Sequence, residues 1–364
     1  MIAPVLCLCM GPAFSQSTSL TLYGNIDQYL NYMRSSSGAT LKTLNDGALL
    51  RSRIGLRGEE ALGAGLAVKF QLETGLSSDT GASADTRRFF DRQSWIGLLT
   101  PVGEFRAGRQ NTAVFYRGDF IDSSSRNLGS VINNVGAPSR YDNDLAWLSP
   151  RWGGWMIEAH VAPGETSGSI GDQAVYQLAV DYLHGPYRVG YAGVRGKPAR
   201  GAPVDTTIRY DNLYANYDHG HGRIFLAIVR TNNITSNANG NTAGSLLGGT
   251  GDLVAGNSLD AHRDYDIYQI SADYRLHPQL RLGALWGTIV DTSDSGHGAK
   301  GASVGVYYDF TKRTLFYGLA QRFRNDENAG FRPSGSAGVN PNFSGADVNG
   351  QTIKGLQVGV VHRF

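Results

Sequence analysis

Cysteine is nearly missing: the 364 residues contain only Cys7 and Cys9, both in the first ten positions. Once a leader is removed the chain has none, so its fold needs no disulfide framework. Long apolar runs are missing as well. After residue 15 no run approaches the roughly 18 residues of a membrane-spanning helix, and the longest convincing one is Ile224–Val229. If the mature chain enters a membrane, it does so as strands. Charge is scarce, with 18% charged residues and a formal net charge of +2, so nothing calls for a nucleic-acid partner. Lysine is scarce within that small set, 6 against 27 arginines. A guanidinium stays charged and donates in a fixed fork, which suits a permanent electrostatic surface. What is abundant is glycine, 48 residues, and tyrosine, 18, the marks of many short strands and tight turns.

The first fifteen residues read as a leader. Met1–Met10 is apolar, and Ala13-Phe14-Ser15 before Gln16 has the small-x-small form of a cleavage site. It departs from the usual pattern in having no Lys or Arg ahead of the apolar run. The expectation is a signal peptide over 1–15 and one domain over 16–364.

From Ser19 onward the chain alternates. Leu66, Val68, Phe70 and Leu72 share one face, with Ala67, Lys69, Gln71 and Glu73 on the other, the period-2 mark of a strand with unlike faces. Such segments recur to the end of the chain, and the connections between them alternate short and long. Counting them predicts sixteen strands, with polar connections at Arg34–Gly47 and Ser77–Arg87 and larger ones at Pro163–Asp172, Gly196–Asp205 and Asn232–Ala261. No second layer or helix exists to receive the apolar faces. A closed antiparallel barrel in lipid does receive them, apolar side out and polar side toward a wet lumen. Tyr182, Tyr187, Tyr217, Tyr265, Tyr307, Tyr308 and Tyr317 stand near strand ends, as interfacial girdles require.

One stretch breaks the rhythm. Between Gly108 and Asp144 some thirty residues show no clear period, which is rare in a compact domain unless the loop is functional or disordered. Val114, Phe115, Tyr116, Phe120, Ile121, Leu128, Val131 and Ile132 make it too apolar for a disordered linker. Some surface must receive it.

Parity assigns the charges of the lumen. In Leu50–Arg57, Arg51, Arg53 and Arg57 share one face and Leu50, Ile54 and Leu56 the other. An arginine facing lipid at the midplane costs about 2–4 kcal/mol, so the arginine face is expected inside. Lys69 and Arg106 follow by the same argument, while the strand of Arg92 offers no clean parity. The competing reading of each is a wall residue paired with a neighbouring carboxylate.

Enzyme signals are weak. Gly296–Gly301 fits G-x-G-x-x-G, but it precedes a strand instead of opening a helix. His219 and His221 lie in a short turn with no third ligand, and no His sits on an evident outward strand face beside a Ser and an acid except His362 near the end. No catalytic residue, metal or cofactor is expected. An outer-membrane hydrolase and a substrate-specific channel are the alternative classes.

Several segments resemble the general diffusion porins of Gram-negative outer membranes, in their β-proteobacterial and neisserial branch. They are Leu22–Asp27, Arg53–Glu60 with Leu62–Leu66, Arg92–Leu98, Gly108-Arg109-Gln110 and the ending Val360–Phe364. The resemblance covers essentially the whole mature chain. It implies a homotrimer of sixteen-stranded barrels in outer-membrane lipid and lipopolysaccharide, each with an aqueous pore for small hydrophilic solutes and anions. It also implies that the third long loop folds inside as a constriction. Phe364, after alternating Leu356, Val358 and Val360, resembles the assembly signal read by the outer-membrane insertion machinery. In that picture the loop's acids face the arginine wall. From Gln110 to Arg140 the stretch holds Asp119 and Asp122 against Arg117, Arg126 and Arg140. With the wall stronger than the loop, a weakly anion-preferring pore is expected.

Overall fold

A computed structural model describes residues 18–164, 174–196, 207–232, 264–337 and 341–364. The expected signal peptide and much of the three larger connections lie outside the described residues.

Among the described residues seventeen strands form one antiparallel sheet. They are β1 Thr18–Ser35, β2 Thr40–Asp46, β3 Arg53–Gly63, β4 Leu66–Gly75, β5 Gln93–Thr100 and β6 Gly103–Asn111. After the long gap come β7 Arg140–Leu148, β8 Trp155–Ala162, β9 Val175–His184, β10 Tyr187–Gly196, β11 Ile208–Asp218 and β12 Arg223–Asn232. The set ends with β13 Asp264–His277, β14 Leu280–Asp291, β15 Ala299–Asp309, β16 Thr314–Asn325 and β17 Thr352–Arg363. β1 pairs with both β2 and β3, each strand from β3 on pairs with the next, and β17 returns to β1, with Asn25 opposite Arg363 and Ser35 opposite Ile353. That pairing closes the barrel and removes every sheet edge.

β1 pairs with β3 over Thr18–Asn25 and with β2 over Gln28–Arg34. β2 and β3 are therefore one stave with a break, and the barrel has the sixteen staves that the alternation predicts. Two local expectations fail at this stave. The polar connection Arg34–Gly47 is only a tight turn, followed by strand. Lys42 and Thr43 blur the alternation of β2, which hid it. Leu50 does not face lipid; it packs with Leu49 and Ala48 on the buried Leu128, Leu315 and Leu319. The cause is local. Gly47 takes φ 67°, and the buried Asp27 carboxylate accepts the amides of Leu49 at 2.7 Å and Leu50 at 2.8 Å. Those bonds, with one from the Tyr317 hydroxyl at 2.7 Å, hold the kink open inside the wall.

Elsewhere the alternation holds. Leu226, Ile228, Ile270, Val304, Leu356 and Val358 lie on the outer surface, about half exposed, while their sequence neighbours are mostly buried or polar. Among the described residues no helix is long and apolar enough to cross a membrane, which says nothing about a barrel. At the short-turn end Tyr187 stacks on Tyr217, and Trp155 packs against Tyr182 with the rings tilted 40°, a girdle as expected. Tyr265, Tyr307 and Tyr317 are buried instead, because their parity turns them inward.

The aperiodic stretch contains three single-turn helices: α1 Ala113–Tyr116, α2 Gly118–Ile121 and α3 Val131–Val135. Thr112 caps α1 and Ser130 caps α3. One-turn helices carry no readable period, which explains the gap in the pattern. Val114, Ile121, Val131, Ile132 and Val135 are buried with Val194, Tyr210, Tyr214, Ile267 and Ile289 of the wall. Gly287 and Gly301 make room: a Cβ at either would stand 3.0 Å or less from Val131.

Candidate functional site

The site is built from two facing sets of side chains, one on β3–β6 and one on the aperiodic stretch. On the wall, Glu73 and Glu104 organise the cations. Arg92 Nε donates to Glu73 Oε1 at 2.6 Å, and Arg53 Nε stands 3.7 Å from Glu73 Oε2. Arg53 Nε also donates to Asn25 Oδ1 at 2.9 Å, and the Tyr23 hydroxyl donates to Glu73 Oε2 at 2.9 Å. Lys69 Nζ donates to Glu104 Oε2 at 3.1 Å and Arg106 Nε to Glu104 Oε1 at 2.7 Å. Arg106 also lies 4.3 Å over the Trp95 ring and donates to the Tyr116 hydroxyl of α1 at 2.9 Å. So Arg53, Lys69, Arg92 and Arg106 share two carboxylates, as the paired-wall reading has it.

Arg51 and Arg57 differ. Arg51 lies in the break before β3, where its Nη1 donates to the Ala337 carbonyl at 3.1 Å. Strand parity therefore does not place it; the Asp27 kink does. Arg57 is exposed and leans over the Tyr23 ring at 5.4 Å. Among the described residues neither is ion-paired.

In the stretch between β6 and β7 most charge is tied up. Arg117 pairs with Glu158 of β8, both nearly inaccessible. Glu158 Oε1 lies 2.8 Å from His160 Nε2, and His160 Nδ1 lies 2.7 Å from Asp144 Oδ2. A ring flanked by two acceptors donates from both nitrogens. Asp122 is 1% exposed and turns back into its own loop. Its Oδ1 accepts the amides of Ser124 at 2.8 Å and Arg126 at 3.0 Å, and its Oδ2 accepts Ser130 Oγ and Gln269 Nε2, each at 2.8 Å. It therefore does not face the wall. Arg126 and Arg140 are buried against the same ring, Phe115, at 4.6 and 4.9 Å. Asp119 is exposed and has no hydrogen bond or ion pair among the described residues.

The same stretch bonds to side chains of distant strands. Gln177 of β9 accepts the Ala113 amide at 3.0 Å, Gln269 of β13 accepts Val131 at 2.8 Å, and Ser271 accepts Ser123 at 3.0 Å. Ser303 of β15 donates to the Gly129 carbonyl at 2.9 Å, and the Leu128 amide reaches the Ala48 carbonyl at 3.1 Å.

A family profile described as Gram-negative porin matches residues 3–328. The chain belongs to that family. The porin is 27% identical to an outer membrane porin protein of Bordetella pertussis, covering 89% of this chain and 94% of the relative. It is 25% identical to outer membrane porin protein 32 of Delftia acidovorans, covering 100% and 99%. Its fold superposes on an anion-selective porin from Comamonas acidovorans with TM-score 0.75 at 22% identity, covering 96% of this chain and all of that one. This porin is thus a multi-pass β-barrel of the outer membrane, a channel for passive diffusion of small hydrophilic solutes.

The porin's lumen holds residues that the sequence reading passed over. Arg188 lies 3.5 Å over Phe120 and 3.0 Å from Asp181; Arg281 lies 4.1 Å over Tyr307 and donates to the Ser123 carbonyl at 3.0 Å. Parity could have found Arg188, since Gly190, Ala192 and Val194 share its face. The Arg117–Glu158–His160–Asp144 chain had no signal, because its members come from three separate segments. At the seam Phe364 exchanges backbone bonds with Gly24, both 3.1 Å, and a Cβ at Gly24 would collide with its ring.

Proposed function

We propose that this porin is a weakly anion-preferring general diffusion pore, narrowed by the stretch between β6 and β7 and assembled as a homotrimer. The observation that carries the reading is a charge imbalance. On and beside β3–β6, Arg53, Arg57, Lys69, Arg92 and Arg106 outnumber Glu59, Glu73 and Glu104, with Arg51 offset by Asp46, Asp79 and Asp91, while among the described residues of the loop Asp119 is the acid left exposed. Rings of fixed cations in a narrow aqueous path favour anions. The apolar residues of the loop, packed on β10–β14 side chains, support its role as the size restriction. Trimers are known among the structural neighbours, an OmpT of Vibrio cholerae being described in a trimer form. The test is the reversal potential in a KCl gradient across a planar bilayer. The expected sign is anionic; a clear cation preference sinks the reading.

The proposal involves no catalytic step. Phe364 is assigned to assembly: its deletion is expected to lower insertion and trimer yield while leaving export intact, and a normal trimer yield overturns that role.

A further inference from the structure

Two rungs of side chains cross β1, β3, β4, β5 and β6 nearer the short-turn end than Glu73. In the first, Thr21, Arg57, Gln71 and Trp95 stand opposite one another; in the second, Ser19, Glu59, Lys69, Gly97 and Arg106 do. They lie on the face opposite the exposed Leu20, Leu22, Ile96 and Leu98. All but Gly97 line a hollow of about 300 Å³. Gly97 lets Arg106 lie against Trp95, since a Cβ there would stand 3.2 Å from both side chains.

The charges of this hollow are not equivalent. Arg106 is committed: Glu104 accepts its Nε at 2.7 Å and the Tyr116 hydroxyl its Nη1 at 2.9 Å. Lys69 gives Glu104 one of its three donors, at 3.1 Å. Arg57 and Glu59 are both exposed. Apart from the Tyr23 ring under Arg57, neither side chain has a hydrogen bond or an ion pair among the described residues. They stand two residues apart on one face of β3, about 6.5 Å along the strand. A free guanidinium and a free carboxylate thus lie side by side. Beside them are the hydroxyls of Ser19 and Thr21 and the carboxamide of Gln71, whose Nε2 donates to the Tyr23 hydroxyl at 2.6 Å. A plain anion is attracted by Arg57 and Lys69 but repelled by Glu59, and a plain cation meets the reverse. A small solute that carries both charges satisfies both.

We propose that this hollow is a binding subsite for a small zwitterion, an α-amino acid with a polar side chain. The solute carboxylate is met by the Arg57 fork and by the donors that Lys69 has left, and the solute ammonium by Glu59. Ser19, Thr21 and the Gln71 oxygen take the polar side chain. The volume lies at the small end of ligand pockets, which suits one amino acid and not a long peptide. The inference rests on the channel function of the barrel, not on its anion preference.

Saturation-transfer NMR on the full-length porin in detergent tests this with three probes of similar size. They are L-serine, L-glycerate, which has a hydroxyl where L-serine has its ammonium, and L-serinamide, which lacks the carboxylate. The parent is expected to bind L-serine about threefold to tenfold more tightly than either of the others. Glu59→Gln should remove the preference over L-glycerate, and Arg57→Gln the preference over L-serinamide. Equal binding of L-serine and L-glycerate by the parent overturns the proposal, and so does a preference over L-glycerate that survives Glu59→Gln. The comparison on the parent needs no variant, so it decides the matter even where a variant fails to fold. Reversal potentials in a KCl gradient on the same preparations keep this site apart from the anion preference. A cation-preferring pore that still favours L-serine refutes only the anion preference. An anion-preferring pore that binds L-glycerate equally well refutes only the zwitterion site.

Discussion

The two sides of the lumen obey the same alternation and yet end as opposite surfaces. On β3–β6 the inward positions are Arg53, Arg57, Lys69, Gln71, Glu73 and Arg106, all charged or polar and most of them paired with one another. On β10–β14 they include Val194, Tyr210, Tyr214, Ile267 and Ile289, buried under the loop. Strand parity determines which residues face inward, and their chemistry determines what may lie on them. An apolar inner wall is intolerable against water unless something covers it, and the loop between β6 and β7 brings the matching apolar residues. The charged side needs no such cover. Under the proposed reading the porin divides its bore into a packing half and an electrostatic half.

Three variants break or sharpen that division. The largest effect is expected from Glu158→Gln, which leaves Arg117 buried without its anion and removes one of the two acceptors of His160. Removing one partner of a buried ion pair costs about 3–5 kcal/mol. Urea unfolding should show a lower midpoint, and single-channel records should show noisier conductance as α1 loosens. Unchanged stability and quiet channels would mean that the apolar contacts hold the loop alone. Next comes Arg51→Gln with Arg53→Gln, on the open side. Reversal potentials should move toward cations with little change of stability, since neither group is deeply buried; no movement would place them away from the narrow part. The smallest effect is expected from Asp119→Asn, the loop acid left exposed among the described residues. It should shift selectivity slightly toward anions, by less than the arginine pair shifts it the other way. A larger shift than the pair produces would make the loop, not the wall, the source of the field.

Much of this was legible beforehand where the signal was periodic. The sixteen staves and the closed barrel follow from period-2 alternation and the cost of a charge in lipid, the same grounds on which Arg53, Arg57, Lys69 and Arg106 are expected to point inward. The reading failed where the backbone leaves the strand. Leu50 and Arg51 belong to a kink that the distant Asp27 holds, so parity misplaced Leu50 and cannot place Arg51. Tyr265, Tyr307 and Tyr317 look like girdle residues by position but turn inward by parity. Asp122 and Asp119 are equivalent in a charge count. Only the coordinates separate them, because only there do Ser124, Ser130 and Gln269 converge on one of them.

The sequence alone determined that this chain is a barrel and which face of each strand meets water, because alternation is a local property and lipid tolerates one answer. Only the tertiary structure decided which charges remain free in the bore. Pairing joins residues such as Arg117 and Glu158, or Arg53 and Glu73, that are far apart in the chain. Whether a charge is neutralised depends on distances of a few ångströms that no local pattern encodes.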